Sequence, residues 1–271
     1  MTKKRSEALD NDANRSGSVE KACRILKAMT DPSNQRLTDI AAHCGMGKST
    51  VMRILDTLIS EGLVLRDPET KRYCLGPEMA RIGASAREKV DWRDVGRASL
   101  MRLADEFQDM VILAVLNGVE TVCVDFQKGS YPIQANFQEL GSRRTLGVGS
   151  GGVAVLAAMS ESERETALRL VRPRLARYPL ITDSLLRDRV DAAIRNGHAV
   201  LLDVVVEHMG GIAVAVLAPN GRPLAALSIA ALSDRIQSRE AELAASLKKE
   251  AAAIGARLAE QDWGPTASVG L

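Results

Sequence analysis

Two short stretches bring together residue types that do chemistry at close spacing. The first is Lys48-Ser-Thr-Val-Met-Arg53. Val51, Ile54, Leu55 and Leu58 fall on one narrow arc at the helical period, so Ser49, Thr50, Arg53 and Asp56 point the other way, with Lys48 at the helix start. Hydroxyls and backbone N–H groups at a helix N-terminus suit a phosphate. A guanidinium such as that of Arg53 reaches a guanine edge with two hydrogen bonds. The chemistry is contact with double-stranded DNA; the alternative is the solvated face of a protein-interaction module. Lys71 and Arg72, at the tip of an expected hairpin, suit the neighbouring DNA backbone or minor groove.

The second stretch, Gly147-Val-Gly-Ser-Gly-Gly152, matches G-x-G-x-x-G letter for letter. A dinucleotide site needs this pattern after a buried parallel strand, whereas Leu140 to Leu146 reads as polar and turn-like. The same run fails as a G-x-S-x-G nucleophile elbow because Val148 stands at the first glycine position. Exposed N–H groups at the positive end of a helix expected from Gly152 to Met159 remain, and they suit the carboxylate of a small molecule. The other reading is a close-packed glycine turn. His198 and His208 flank Asp203, but five residues of strand place His198 and Asp203 on opposite faces, and no motif supplies a nucleophile. Cys23, Cys44, Cys74 and Cys123 lack zinc-ligand spacing and read as small, buried, reduced hydrophobes. No metal or cofactor is expected.

The elements that position these residues follow from periodicity. Residues 1–17 are polar and aperiodic, an expected disordered tail. Ser18 reads as the cap of a first helix that Asp31-Pro32 stops. Thr38 reads as the cap of a second, from Asp39 to Cys44, which Gly45 ends. The third helix runs from Lys48 to Gly62. Leu63–Arg66 and Arg72–Leu75 then form a hairpin around Asp67-Pro68-Glu69-Thr70-Lys71. Three helices and a hairpin are the order of a winged helix-turn-helix, whose third helix enters the major groove. A connecting helix from Pro77 to about Lys89 follows. Beyond it, strands are expected at Val111–Leu116, Thr121–Phe126, Tyr131–Ala135, Ala199–Val206, Ile212–Ala218 and Leu224–Ala230. Helices are expected around Arg97–Phe107, Glu163–Val171, Ser184–Asn196 and Arg239–Glu260. Pro219-Asn220-Gly221 is a hairpin turn. The fold class is α+β with an antiparallel sheet.

Composition agrees with two soluble domains. Of 271 residues, 46% are hydrophobic and 26% charged, and the net charge is +2. Residues 1–90 hold 16 Lys+Arg against 12 Asp+Glu, and residues 91–271 hold 20 against 22, so the basic excess lies in the amino-terminal third. No apolar run approaches the roughly 20 residues of a membrane helix, and the N-terminus lacks the apolar core of a secretory signal. A cytoplasmic protein is expected.

The runs S18-V-E-K-A-C-R-I-L, L37-T-D-I-A, K48-S-T-V-M-R-I-L-D-T-L, E61-G-L-V and R72-Y-C-L-G-P resemble the IclR family of bacterial transcriptional regulators. G152-V-A-V-L-A, the G221-R-P-L-A-A-L-S run and the terminal helix extend the resemblance over about residues 18–260. It implies a winged helix-turn-helix at 18–76, a linker helix at 77–90, a GAF-like effector-binding domain at 91–262 and a tail at 263–271. It implies a homodimer or dimer of dimers on a pseudo-palindromic operator, with the groove-reading segment at Lys48 to Arg53. By position it implies an effector pocket lined by Ser150, Gly151 and Gly152, closed from the other side by strands bearing Asp203, Gly211 and Ser228. Departures are Gly47, where the family often has Pro; Leu201 and Leu202, where acidic residues are common; Gly211, where Cys is common; and Ala230 in place of a frequent Ser. They predict a roomier, less polar pocket than a two- or three-carbon acid needs, suited to a small organic acid with an apolar or aromatic body. The chain then reads as a ligand-responsive regulator of a catabolic operon. The alternative is an enzyme acting on a small acid with the N-terminal unit as a docking module.

Overall fold

The computed structural model describes residues 17–31, 33–87, 91–135 and 138–260. It divides the chain into two compact units, Met1–Lys89 and Val90–Leu271. The expected tail at 1–17 apart from residue 17, the tail at 263–271 and the end of the linker helix at 88–90 lie outside the described residues.

The first unit contains α1 (residues 17–28), α2 (Leu37–Cys44), α3 (Lys48–Ser60), β1 (Val64–Arg66), β2 (Tyr73–Leu75) and α4 (Pro77–Arg87). Ile25, Ile40, Val51, Leu55, Val64 and Tyr73 form its core, each worth roughly 1.5–3 kcal/mol of burial for an aliphatic side chain. Two caps differ from expectation. Residues 17 and 18 are both already helical, so Ser18 does not precede its helix. The N-cap of α2 is Arg36 without a side-chain bond, and the Thr38 hydroxyl donates to its neighbour Asp39 Oδ1 at 3.1 Å. Gly45 ends α2 in the left-handed region, φ 60°, and its N–H bonds back to Ala42 O, which turns the chain into α3. β1 and β2 pair antiparallel, Val64 opposite Leu75. Gly76 permits their closure: a Cβ there would lie 2.1 Å from Gly62 O.

The second unit contains α5 (Trp92–Phe107), β3 (Met110–Asn117), β4 (Glu120–Gln127), β5 (Arg143–Thr145), α6 (Ser150–Ala158), α7 (Glu161–Leu175), α8 (Asp183–Asn196), β6 (Ala199–Leu202), β7 (Met209–Leu217), β8 (Pro223–Leu232), α9 (Ser233–Ser238) and α10 (Glu240–Glu260). The sheet order is β5-β4-β3-β8-β7-β6, with every neighbouring pair antiparallel. The chain is α+β, as its pattern predicts. Leu100, Leu103 and Phe107 of α5 and Leu243, Leu247 and Ile254 of α10 share one core with Val111, Leu113, Val214 and Leu227 of the sheet. Val153, Leu156, Val171, Leu186 and Val190 of α6–α8 share a second core with Ala213 and Ala226.

Three local expectations fail. Tyr131–Ala135 is not a strand: Pro132 has no N–H for a ladder, and the Gln134 side chain bonds to Gln108 O and Tyr131 O. The strand from Ala199 stops at Leu202 because Asp203 takes a left-handed φ of 57°. Asp203 is therefore exposed beyond the strand, and its Oδ1 accepts from Ser233 Oγ at 2.8 Å. Cys23 and Cys74 are exposed, while Cys44 and Cys123 are buried; a single apolar-looking neighbourhood does not fix which face a residue takes.

Candidate functional site

The outward face of α3 is the first element of the site. Val51, Ile54, Leu55 and Leu58 are buried, leaving Lys48, Ser49 and Arg53 exposed and Thr50 half-buried. Gly47 caps α3 in extended backbone with no side-chain bond, so the first N–H groups of the helix stand open beside the Lys48 ammonium. Met52 shares this face and is 48% exposed, an apolar group able to meet a thymine methyl. Its apolar type hid it, since an alternating face reads such a residue as core.

The hairpin supplies the second element. Asp67 Oδ1 accepts from the N–H groups of Glu69 and Thr70, at 2.8 and 2.9 Å, which folds the tip and holds its carboxyl below the ordinary carboxylate value. Lys71 completes the turn at φ 57°, and its Nζ donates to Pro68 O at 2.5 Å. Arg72 leans toward Gln35 Oε1 at 3.4 Å. Both cations lie at the tip as predicted, each tethered to its own unit.

In the second unit, a cavity of about 80 Å³ lies over the sheet face opposite α5 and α10. Its wall includes Ser150, Gly151, Gly152, Gly211 and Ser228. Asp203 is not on the wall; the turn it starts sends Val204, Val205 and Val206 there instead. Leu201 faces the cavity, and Leu202 packs on the other side of the sheet. Helix α6 begins at Ser150, two residues earlier than expected, so the glycine run forms its first turn. Gly149 at its N-cap has φ 99° and no side-chain cap. Gly152 has to be a glycine, since a Cβ would lie 2.8 Å from Gly147 N. Gly211 makes room for the Ser150 hydroxyl, which would lie 2.7 Å from a Cβ at that position.

Sequence reasoning missed Arg144. It lies on β5, a three-residue edge strand, and lines the cavity with its guanidinium against Gly149, 3.5 Å from where a Cβ would stand. Burial pushes its pKa down, and Tyr178 and Cys123 partly oppose that. The charge nevertheless persists, because a guanidinium does not deprotonate in proteins. Thr121 and Gln138 complete the polar wall, and Gln138 Oε1 is buried without a hydrogen-bond partner among the described residues. The signal available in the sequence was the pair Arg143-Arg144 just ahead of a glycine-rich helix entry.

The histidines are accounted for. His198 Nε2 bonds to Glu240 Oε1 at 2.9 Å, and His208 is exposed. No cluster of metal-ligating side chains occurs among the described residues, and none of their helices is long and apolar enough to cross a membrane.

Residues 18–68 match the model of the IclR helix-turn-helix domain, and residues 84–256 match that of the C-terminal domain of the bacterial transcriptional regulator IclR. The HTH-type transcriptional regulator Rv1719 of Mycobacterium tuberculosis is 29% identical over 237 residues, covering 86% of this chain and 90% of its own. The crystal structure of an IclR transcriptional regulator from Alicyclobacillus acidocaldarius superposes with a TM-score of 0.72 at 25% identity, covering 89% of this chain and 98% of that one. An IclR homologue from Microbacterium hydrocarbonoxydans, crystallised with 4-hydroxybenzoate, shares the fold with a TM-score of 0.71 at 21% identity, over 90% of this chain and 99% of that one. The relatives are named as regulators, which sets the enzyme alternative aside. With a helix-turn-helix unit ahead of a ligand-binding unit, the chain belongs to the IclR family of DNA-binding transcriptional regulators.

Proposed function

We propose that this regulator controls a catabolic operon and is switched by a short organic acid held between Arg144 and the first amides of α6. The observation that carries the reading is the guanidinium beside an uncapped helix start on one cavity wall. Both present positive charge to the same point, and a carboxylate accepts bidentate bonds from a guanidinium. Ser150, Thr121 and Ser228 add hydroxyls, and Gln138 Oε1 is an acceptor, so an acid that also carries a hydroxyl group leaves the fewest polar groups unmet. The cavity is small, about 80 Å³, against the roughly 300–1,000 Å³ of pockets that take drug-sized ligands. This narrows the expectation of a roomy pocket for an aromatic body. The Microbacterium homologue was crystallised with an aromatic acid.

The DNA partner is read by Lys48, Ser49, Thr50 and Arg53 in the major groove, with Lys71 and Arg72 on the flanking backbone. One helix reads only a few base pairs, so two copies bind a pseudo-palindromic operator as a homodimer or dimer of dimers in the cytoplasm, pairing through α4. The acid changes operator affinity only by binding two states unequally, with a coupling of about 1–3 kcal/mol. Calorimetry of the full chain against short hydroxy, oxo and aromatic acids tests the reading, together with gel shifts on its own upstream DNA. We expect a short acid to bind, to shift the operator complex, and to lose binding in Arg144→Leu. A folded Arg144→Leu protein that binds the acid like the parent overturns it.

A further inference from the structure

A second and larger cavity lies elsewhere in the sensor unit. It occupies about 590 Å³ between α6, α8, the far end of β7 and the last three turns of α10, within the range of roughly 300–1,000 Å³ that small-molecule sites occupy. Topology makes it. β6 pairs with β7 only as far as Ala199 opposite Ala213, so from Val214 onward β7 has no neighbour on that side. The wall that should fill the gap is built of alanines: Ala157 on α6, Ala193 on α8, and Ala252 and Ala256 on α10. Ile194 and Leu217 stand at the mouth, 46% and 42% exposed.

The one ammonium on this wall belongs to Lys248. Its Nζ donates to Asn196 O at 2.7 Å, the one bond it makes among the described residues, although an ammonium has three donors. No carboxylate lines the cavity among the described residues, and the imidazole on the wall, His198, is engaged by Glu240 Oε1 at 2.9 Å. An apolar hollow with one cation on its wall, and no anion, fits an apolar body with a single negative end.

We propose that this groove binds a second ligand, distinct from the acid beside Arg144: an aliphatic or aromatic carboxylate with a substantial hydrocarbon body, its head on Lys248 and its body along the alanines of α6 and α10. The site is separate from the effector cavity, but the two share α6. Ser150 to Gly152 at its start line one, and Ala154, Ala157 and Ala158 toward its end line the other. Occupancy of the groove therefore bears on the helix whose amides face the small acid. That coupling rests on the effector reading above; the binding itself does not.

The test uses the full chain with anilinonaphthalenesulfonate as probe, followed by fluorescence and displaced with decanoate. We expect one displaceable site per chain. Ala252→Leu/Ala256→Leu fills the groove from exposed helix positions, where leucine is a good helix former, and should weaken probe and decanoate at least tenfold. Lys248→Gln should weaken decanoate several-fold and leave decanol unchanged. Arg144→Leu should change neither. Retention of full affinity in the filled variant overturns the proposal, as does loss of probe binding in Arg144→Leu. A change of oligomeric mass in the filled variant also overturns it, since the groove would then be covered by a second copy.

Discussion

The two units place their functional groups in opposite ways. On α3 the DNA-facing side chains are neighbours in sequence and exposed, and the helical period alone sorts Lys48, Ser49 and Arg53 from Val51 and Leu55. In the sensor unit, Thr121, Gln138, Arg144, Ser150 and Ser228 come from separate elements and meet only because β8 inserts between β3 and β7. A local site separates binding from stability. A site assembled across the sheet ties them together, because the groups that hold the ligand also pack the core.

The sharpest way to break this contrast is at the first turn of α6. In Gly152→Val, side-chain atoms would be forced against the backbone of Leu146 and Gly147. We expect at least about 3 kcal/mol of destabilisation, with ligand binding lost together with the fold, as read by denaturant unfolding. Gly151→Ala meets only the Ala226 methyl, at 3.2 Å, and should keep the fold while crowding the ligand. If Gly152→Val unfolds like the parent, the site is as separable as α3.

Next in size is the DNA face. Arg53→Ala should weaken operator binding by about 1–3 kcal/mol per subunit and relax specificity at one base pair, with an unchanged unfolding midpoint. Lys71→Ala should act less, lowering affinity for all sequences alike and flattening the salt dependence in a filter or gel titration. Equal losses on specific and random DNA for Arg53→Ala would mean that it holds phosphate.

The smallest effect concerns pH. Glu250 is buried, and the Arg102 guanidinium, with Nε at 2.9 Å and Nη2 at 2.5 Å, holds its carboxyl below the ordinary value. A depressed folded value contributes stability above the unfolded value and loses it as pH falls through the folded one. Arg102 is half-exposed, so the contribution is at most about 1 kcal/mol. Thermal midpoints of parent and Glu250→Gln should differ at neutral pH and converge in acid; a constant gap would exclude the titration.

The same contrast explains what could be read from the chain before folding. The winged unit was legible because Gly45, Gly62 and the Asp67–Lys71 turn punctuate strongly periodic helices. The sensor sheet was legible where strands are long apolar runs, as in β3, β7 and β8, or alternate, as in β4. Arg144 escaped because a three-residue edge strand has no period to detect. Asp203 was assigned to a strand because nothing in the run Leu201–Val206 marks the left-handed residue that ends β6. Gly211, Ser150 and Ser228 were reached by resemblance, and their meeting in one wall depends on strand register that no local pattern encodes.

The position of β8 also sets a clock for synthesis. Ile112 O accepts from Ser228 Oγ across 116 residues of sequence, and β3 gains its inner neighbour only when β8 is made. At about 5–20 residues per second, roughly ten seconds separate emergence of the two strands from the ribosome. Throughout that interval β3 and β4 can pair as a hairpin, but one edge of β3 stays open, and Asp109 waits for Arg235 and Arg239 to neutralise it. β8 and the α9 segment, translated long after β3, are the ones that seal the centre of the sheet.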